Sequence, residues 1–139
     1  MKRLPGRAHG TFVELREEGQ DGGQAVVRIL DRVGNKWTIL AVGALADGPL
    51  RFSEIQRATA GISGRMLSTT LRGLQRDGLA LRRVFSTSPP KVEYELTLLG
   101  RSLIEPLRNL VAWARSNRAD IEEARCAFDT GQSRIGAAR

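Results

Sequence analysis

Histidine and cysteine are nearly absent: the 139-residue chain holds one of each, His9 and Cys126. A single cysteine closes no intrachain disulfide, which fits a reducing cytoplasm. Without a cluster of these two residue types, a structural zinc site lacks an adequate ligand set. Ser63 has no histidine base in its own segment, so Ser-His-Asp chemistry would require His9 to fold across the chain. There is no glycine-rich phosphate loop followed by lysine and a hydroxyl residue. Glu14, Glu17 and Glu18 read as solvated charges rather than as an acid–base pair. These absences argue against an enzyme and imply no metal and no cofactor. No apolar run reaches the roughly 20 residues that a membrane span needs. The segment Met1–Gly10 is basic but lacks the apolar stretch of a secretory signal.

Acidic residues are in the minority. Lysine and arginine number 22 against 15 aspartates and glutamates, giving a net charge of +7 and a pI near 10.9. From Pro49 to Glu95 there are eight basic and four acidic residues. A polyanionic partner is one reading of that excess, and a merely basic soluble protein is the other. Apolar residues make up 41% of the chain, enough for one folded domain of this length.

The organisation reads as three parts. Residues 1–23 form a polar, glycine-rich arm, loose or packed on a partner. Residues 24–129 form the folded domain, and 130–139 a loose tail. Ala25, Val26, Ile29, Leu30 and Val33 follow a helical stripe. Asn35 can cap a second helix over about 36–46, with Trp37, Leu40, Ala41, Ala44 and Leu45 as its inner face. Asp47-Gly48-Pro49 ends that helix. A short helix from Phe52 or Ser53 to Ala58 follows, then a tight connector at 59–62. Ser63 caps a fourth helix to about Asp77, with Met66, Leu67, Leu71 and Leu74 on the buried stripe. Gly78 is placed as its C′ glycine. Gly73 sits inside this helix at a cost of about 1 kcal/mol relative to alanine, which a close approach by another helix would explain.

Two strands come next, 79–85 and 91–96, around Ser86-Thr87-Ser88-Pro89-Pro90. In the second, Val92, Tyr94 and Leu96 alternate with Lys91, Glu93 and Glu95, the period of a half-buried hairpin strand. Thr97 caps a long helix to about Ser116, which Pro106 should bend or interrupt. A last helix spans about 119–129. The apolar residues Leu103, Leu107, Leu110, Val111, Trp113, Ile121 and Phe128 exceed what a minimal domain needs, and a dimer interface is their simplest use. The fold expected is mainly α with a small β-hairpin: a winged helix-turn-helix with additional N- and C-terminal dimerisation helices.

A helix, short turn, helix and hairpin in that order set the second helix to enter a DNA major groove. Its outer face carries Gly64, Arg65, Ser68, Thr69, Arg72 and Arg76, with Ser63 at the cap. Gly64 gives clearance. Arg65 reaches a guanine edge or a phosphate, Ser68 and Thr69 hydrogen-bond at short range, and Arg72 and Arg76 suit phosphates. In the wing, Ser86, Thr87 and Ser88 can donate to phosphate and Lys91 adds charge. Lys36, Arg51 and Ser53, near helix starts, are further positioning candidates. The competing reading is an ordinary solvated helix face, or a winged-helix protein–protein interaction module that turns the same helix toward an acidic partner without specific DNA binding.

The sequence resembles the HxlR family of winged-helix bacterial regulators, related in architecture to the MarR type. The segments that carry the resemblance are Val33-Gly34-Asn35-Lys36-Trp37-Thr38-Ile39-Leu40, Gly48-Pro49-Leu50-Arg51-Phe52-Ser53-Glu54-Ile55, Gly61-Ile62-Ser63-Gly64-Arg65-Met66-Leu67, Leu71-Arg72-Gly73-Leu74-Gln75-Arg76-Asp77-Gly78-Leu79, and Pro90-Lys91-Val92-Glu93-Tyr94-Glu95-Leu96-Thr97-Leu98-Leu99-Gly100, with Trp113. The resemblance implies a homodimer built largely from the first and last helices, bringing Val26 and Ile29 into the interface. It implies a double-stranded operator with two related half-sites, transcription regulation as repressor or activator, and a cytoplasmic, nucleoid-associated protein. Many members carry a cysteine thirteen residues before the tryptophan that matches Trp37; here that residue is Gln24, so the usual thiol switch is not expected. Cys126 is expected to be a passive packing residue. A small-molecule effector held at a dimer interface would add to DNA binding, but no residue identifies one.

Overall fold

The computed structural model describes residues 20–137, with side chains described from 23 to 131. His9, Glu14, Glu17, Glu18 and most of the arm read over 1–23 lie outside the described residues. The described chain divides into two compact units after Arg101.

The first unit opens with α1 (Gln20–Val33), α2 (Lys36–Leu45), α3 (Phe52–Ala58) and α4 (Gly64–Arg76), followed by β1 (Ala80–Phe85) and β2 (Lys91–Leu96). Asn35 caps α2: its side-chain oxygen accepts from the Trp37 amide at 2.9 Å. The inner face of α2 is Thr38, Ala41, Val42 and Leu45, a rotation from the expected one, since Leu40 is exposed and Trp37 half-buried. The run Lys36–Leu45 is apolar nearly all round, so its periodicity does not single out one face.

Leu45, Ile55, Leu67, Leu71 and Leu74 are the largest side chains completely withdrawn from solvent, with Val42 beside them. They come from α2, α3 and α4, so the core is the seam of the three helices that present the outer face of α4. Fully burying a leucine stabilises by about 1.5–3 kcal/mol, which makes this seam the main support of that face. Met66 is not part of it; at 43% exposure it lies beside the buried stripe, correcting its expected place in the core.

β1 and β2 pair antiparallel, with Ala80 opposite Leu96, Arg82 opposite Tyr94 and Phe85 opposite Lys91. Ala80 and Leu96 are buried and anchor the base of the hairpin, whereas residues 81–90 are exposed. The loop before α3 adds a third short edge: Leu50 N–H donates to Tyr94 O at 3.0 Å and Tyr94 N–H to Leu50 O at 2.8 Å.

The helix expected from Thr97 to Ser116 is broken into α5 (Leu98–Ser102) and α6 (Ile104–Ser116). Pro106 accounts for the break, because it has no N–H for the Ser102 carbonyl and its ring crowds that same group. Thr97 Oγ1 accepts from the Gly100 amide at 3.0 Å and donates to Gly78 O at 2.6 Å. It therefore starts α5 and ties it to the end of α4. Gly100 is buried, and a β-carbon there would overlap the Leu79 carbonyl oxygen.

The second unit comprises the rest of the chain, with α6 packed on α7 (Arg118–Ala137). Asn117 forms the joint, its amide and side-chain nitrogens both donating to Trp113 O. Residues 130–137, expected as a loose tail, extend α7. Among the described residues, no helix is long and apolar enough to cross a membrane.

Candidate nucleic-acid interface

The turn between α3 and α4 is built by local chemistry. Thr59 Oγ1 donates to Ile55 O at 2.8 Å and closes α3. Gly61 has φ +90°, a conformation that other residues resist. Ile62 is buried, and its carbonyl accepts from Gln56 Nε2 at 3.4 Å. Ser63 Oγ then accepts from the Met66 amide at 3.1 Å, capping α4 as expected. At the other end, Leu79 N–H donates to Leu74 O at 2.8 Å and Gly78 N–H to Gln75 O at 3.0 Å, with Gly78 at φ +73°. That pair of bonds is a Schellman stop, and it fixes where the helix ends and the wing begins.

Between these caps, α4 has two opposed faces. Leu67, Thr70, Leu71, Gly73 and Leu74 are buried, whereas Arg65, Ser68, Thr69, Arg72 and Arg76 are exposed. At about 100° per residue these five exposed positions fall on one side of the helix. The Thr69 hydroxyl donates back to Arg65 O at 3.0 Å, so what it offers outward is its acceptor lone pairs and its methyl. Gly64 is half-buried, with Gln56 Nε2 at 3.8 Å from where its β-carbon would be. Its missing side chain leaves the front of the helix low.

The wing residues Ser86, Thr87 and Ser88 are exposed. Arg51, from the start of α3, joins Thr87, Ser88 and Lys91 along one open cleft. Some candidates are already engaged. The Thr87 hydroxyl donates to Pro89 O at 2.8 Å. Lys91 Nζ sits 2.7 Å from Glu93 Oε1 and 5.4 Å from the centre of the Phe85 ring. Lys36 Nζ lies 4.2 Å from the centre of the Trp37 ring. Ser53 is exposed, and its carbonyl accepts from Arg57 Nε at 3.4 Å. Of the two strand arginines, Arg83 pairs with Glu95 at 2.5 Å; Arg82 points to the opposite side of the hairpin, the side that carries Tyr94.

One contact was missed by sequence reasoning. The Arg32 guanidinium, from the last turn of α1, lies over Gly73, and its Nε donates to Asp77 Oδ2 at 2.9 Å. The glycine inside α4 was the available signal: it costs about 1 kcal/mol of helix propensity, and the close approach it serves is by a side chain rather than by a helix backbone.

The residues read as dimerisation contacts divide. Ile29, Leu110, Trp113 and Phe128 are exposed, Trp113 by 59% and Phe128 by 64%. Val26, Leu103, Val111 and Ile121 are half-buried. Leu107 is buried within its own chain and drops out of the surface open to a partner. Cys126, expected as a packing residue, is exposed.

A helix-turn-helix whose second helix leads through a capped stop into a two-stranded wing defines a winged-helix protein. The chain belongs to the HxlR-like helix-turn-helix family, whose model matches residues 32–122. YybR of Bacillus subtilis, an uncharacterised HTH-type transcriptional regulator, is 41% identical over 69% of this chain and 77% of its own. The redox regulator HypR in its reduced form superposes with a TM-score of 0.66 at 39% identity, covering 71% of this chain and 98% of that one. A regulator from Enterococcus faecalis V583 assigned to the MarR family gives a TM-score of 0.61 at 31% identity, over 76% of this chain and 96% of that one. The relatives named as HTH-type transcriptional regulators support DNA-binding transcription regulation for this chain, and they belong to a family of regulators rather than of enzymes.

Proposed function

We propose that the protein is a sequence-specific, double-stranded DNA-binding transcription regulator that acts as a homodimer on two related half-sites. α4 enters the major groove, and the wing, residues 86–91, lies on the backbone or in the minor groove. The observation that carries this reading is the two-sidedness of α4. Its leucine face is sealed in the core while Arg65, Ser68, Thr69, Arg72 and Arg76 stand uncovered on the other side. A helix so presented fits the major groove, where side chains of these types meet base edges and phosphates. Arg65, in the first turn, reads a base; Arg72 and Arg76 hold phosphates. Ser63, Ser68 and Thr69 add hydrogen bonds, and Lys36, Arg51, Ser53, Ser86, Thr87, Ser88 and Lys91 position the duplex.

The second copy covers the exposed apolar residues of α1, α6 and α7. Half-sites read by two-fold-related helices fall about one helical turn of DNA apart. DNA binding places the protein in the cytoplasm with the nucleoid.

Selection of bound duplexes from a random DNA pool tests this reading. Inverted half-sites should be enriched, and their affinity should fall as salt rises, because phosphate contacts release counterions. Folded protein that enriches no duplex at low salt would overturn it in favour of a protein-binding winged helix.

A further inference from the structure

The Arg32–Gly73–Asp77 contact ties the last turn of α1 to the flank of α4. We infer that Arg32 is a positioning residue that sets which half-site spacing the dimer accepts; this rests on the homodimeric DNA-binding reading above. Arg32 is in the last turn of α1, and Asp77 is the C-cap residue of α4. The guanidinium lies against the flank of α4 at Gly73, which has no side chain to hold it off. A β-carbon at Gly73 would overlap Arg32 Nη1 and stand 2.6 Å from Cζ. Gly73 and Asp77 are one turn apart, about a quarter turn around the helix from the Arg65–Arg72 face. Arg32 therefore grips α4 at two successive turns on its side and leaves the reading face clear.

Stability alone does not account for the arrangement. The ion pair is about a third exposed on each side, at 34% and 38%, and such pairs contribute little. The glycine weakens α4 as a helix. What the contact constrains is orientation: the single bond to Asp77 and the close approach over Gly73 tie the end of α1 to the flank of α4. Away from that contact α1 exposes Val27 and Leu30, and Ile29 is exposed beside Arg32 along one open cleft; the reading above assigns that helix to the partner interface. The dimer axis is thereby linked to the reading face through Arg32. Each base pair added between half-sites turns them by roughly a tenth of a helical turn, so tolerance of spacing reports how firmly that link is held.

The test uses full-length protein and the selected operator, with base pairs inserted or removed at its centre, and single half-sites as controls. Anisotropy titrations compare the native protein with Arg32→Ala, Gly73→Ala and the double variant. The native protein should lose about tenfold in affinity on a one-base-pair change. Each variant should lose less than about threefold, within the range of coupling energies. All should bind a single half-site within about twofold of one another. The double variant should match the single ones, because both changes remove one contact. Gly73→Ala should melt at or above the native temperature, which keeps the result readable if Arg32→Ala folds poorly. A folded variant with the native spacing profile would overturn the inference, as would equal losses on single and paired half-sites. Failure of the native protein to select any duplex would instead strike the functional reading itself.

Discussion

Arg65 and Arg72 are the same residue type on the same face of α4, two turns apart, yet they differ in what they can read. Arg65 lies in the first turn, next to the Ser63 cap, which the proposed docking sends deepest into the groove, and both side chains are exposed. A guanidinium meeting guanine O6 and N7 discriminates by about 1–3 kcal/mol, whereas one on a phosphate discriminates nothing. Arg65→Ala should therefore weaken operator binding by about that amount and relax preference at one position in each half-site. Arg72→Ala should weaken all sequences alike and reduce the salt slope by about one. Competition titrations against single-base operator variants at two salt concentrations separate the two; an unchanged preference in Arg65→Ala would remove that residue from base reading.

At the scale of elements, the junction from α4 through the wing to α5 is held by few atoms. Thr97 Oγ1 bridges Gly78 O and the Gly100 amide, and Gly100 packs against the Leu79 carbonyl with no room for a β-carbon. Gly100→Ala must push that carbonyl aside, and overpacking of this kind costs about 1–3 kcal/mol. Urea unfolding should show the loss, and a midpoint equal to the native one would mean that the junction yields freely. This junction also shows how far sequence reasoning reaches. The cap at Ser63, the stop at Gly78, both strands and the interruption at Pro106 were legible, because each rests on chemistry local to a few residues. The outer face of α4 was legible because its leucines repeat at helical spacing. The inner face of α2 was not, since an almost wholly apolar helix carries no directional signal. The reach of α1 back to Gln20 and of α7 on to Ala137 was missed because Gly22, Gly23, Gly131 and Gly136 depress helix propensity there. The Arg32–Asp77 bond joins residues 45 apart; only the misplaced Gly73 hinted at it.

For the whole molecule, the decisive quantity is how much apolar surface the chain leaves uncovered. Val27, Ile29 and Leu30 on α1, and Leu110, Trp113 and Phe128 on α6 and α7, are each about half exposed or more. Leaving a large side chain in water forgoes about 1.5–3 kcal/mol of burial, and aromatic anchors such as Trp113 tend to dominate the interfaces they enter. In the proposed dimer a second copy would supply the cover and also present a second reading helix, so that stability and operator recognition would draw on the same contact. Trp113→Asp places a charge on the exposed apolar face of α6 without altering any residue of α4. By light scattering the proposed dimer should then give way to a monomer, with the helical circular dichroism of the chain largely retained. Binding to a single half-site should persist weakly, while the gain from pairing two half-sites should vanish. A Trp113→Asp protein that remains dimeric would mean that the two copies meet on a different surface.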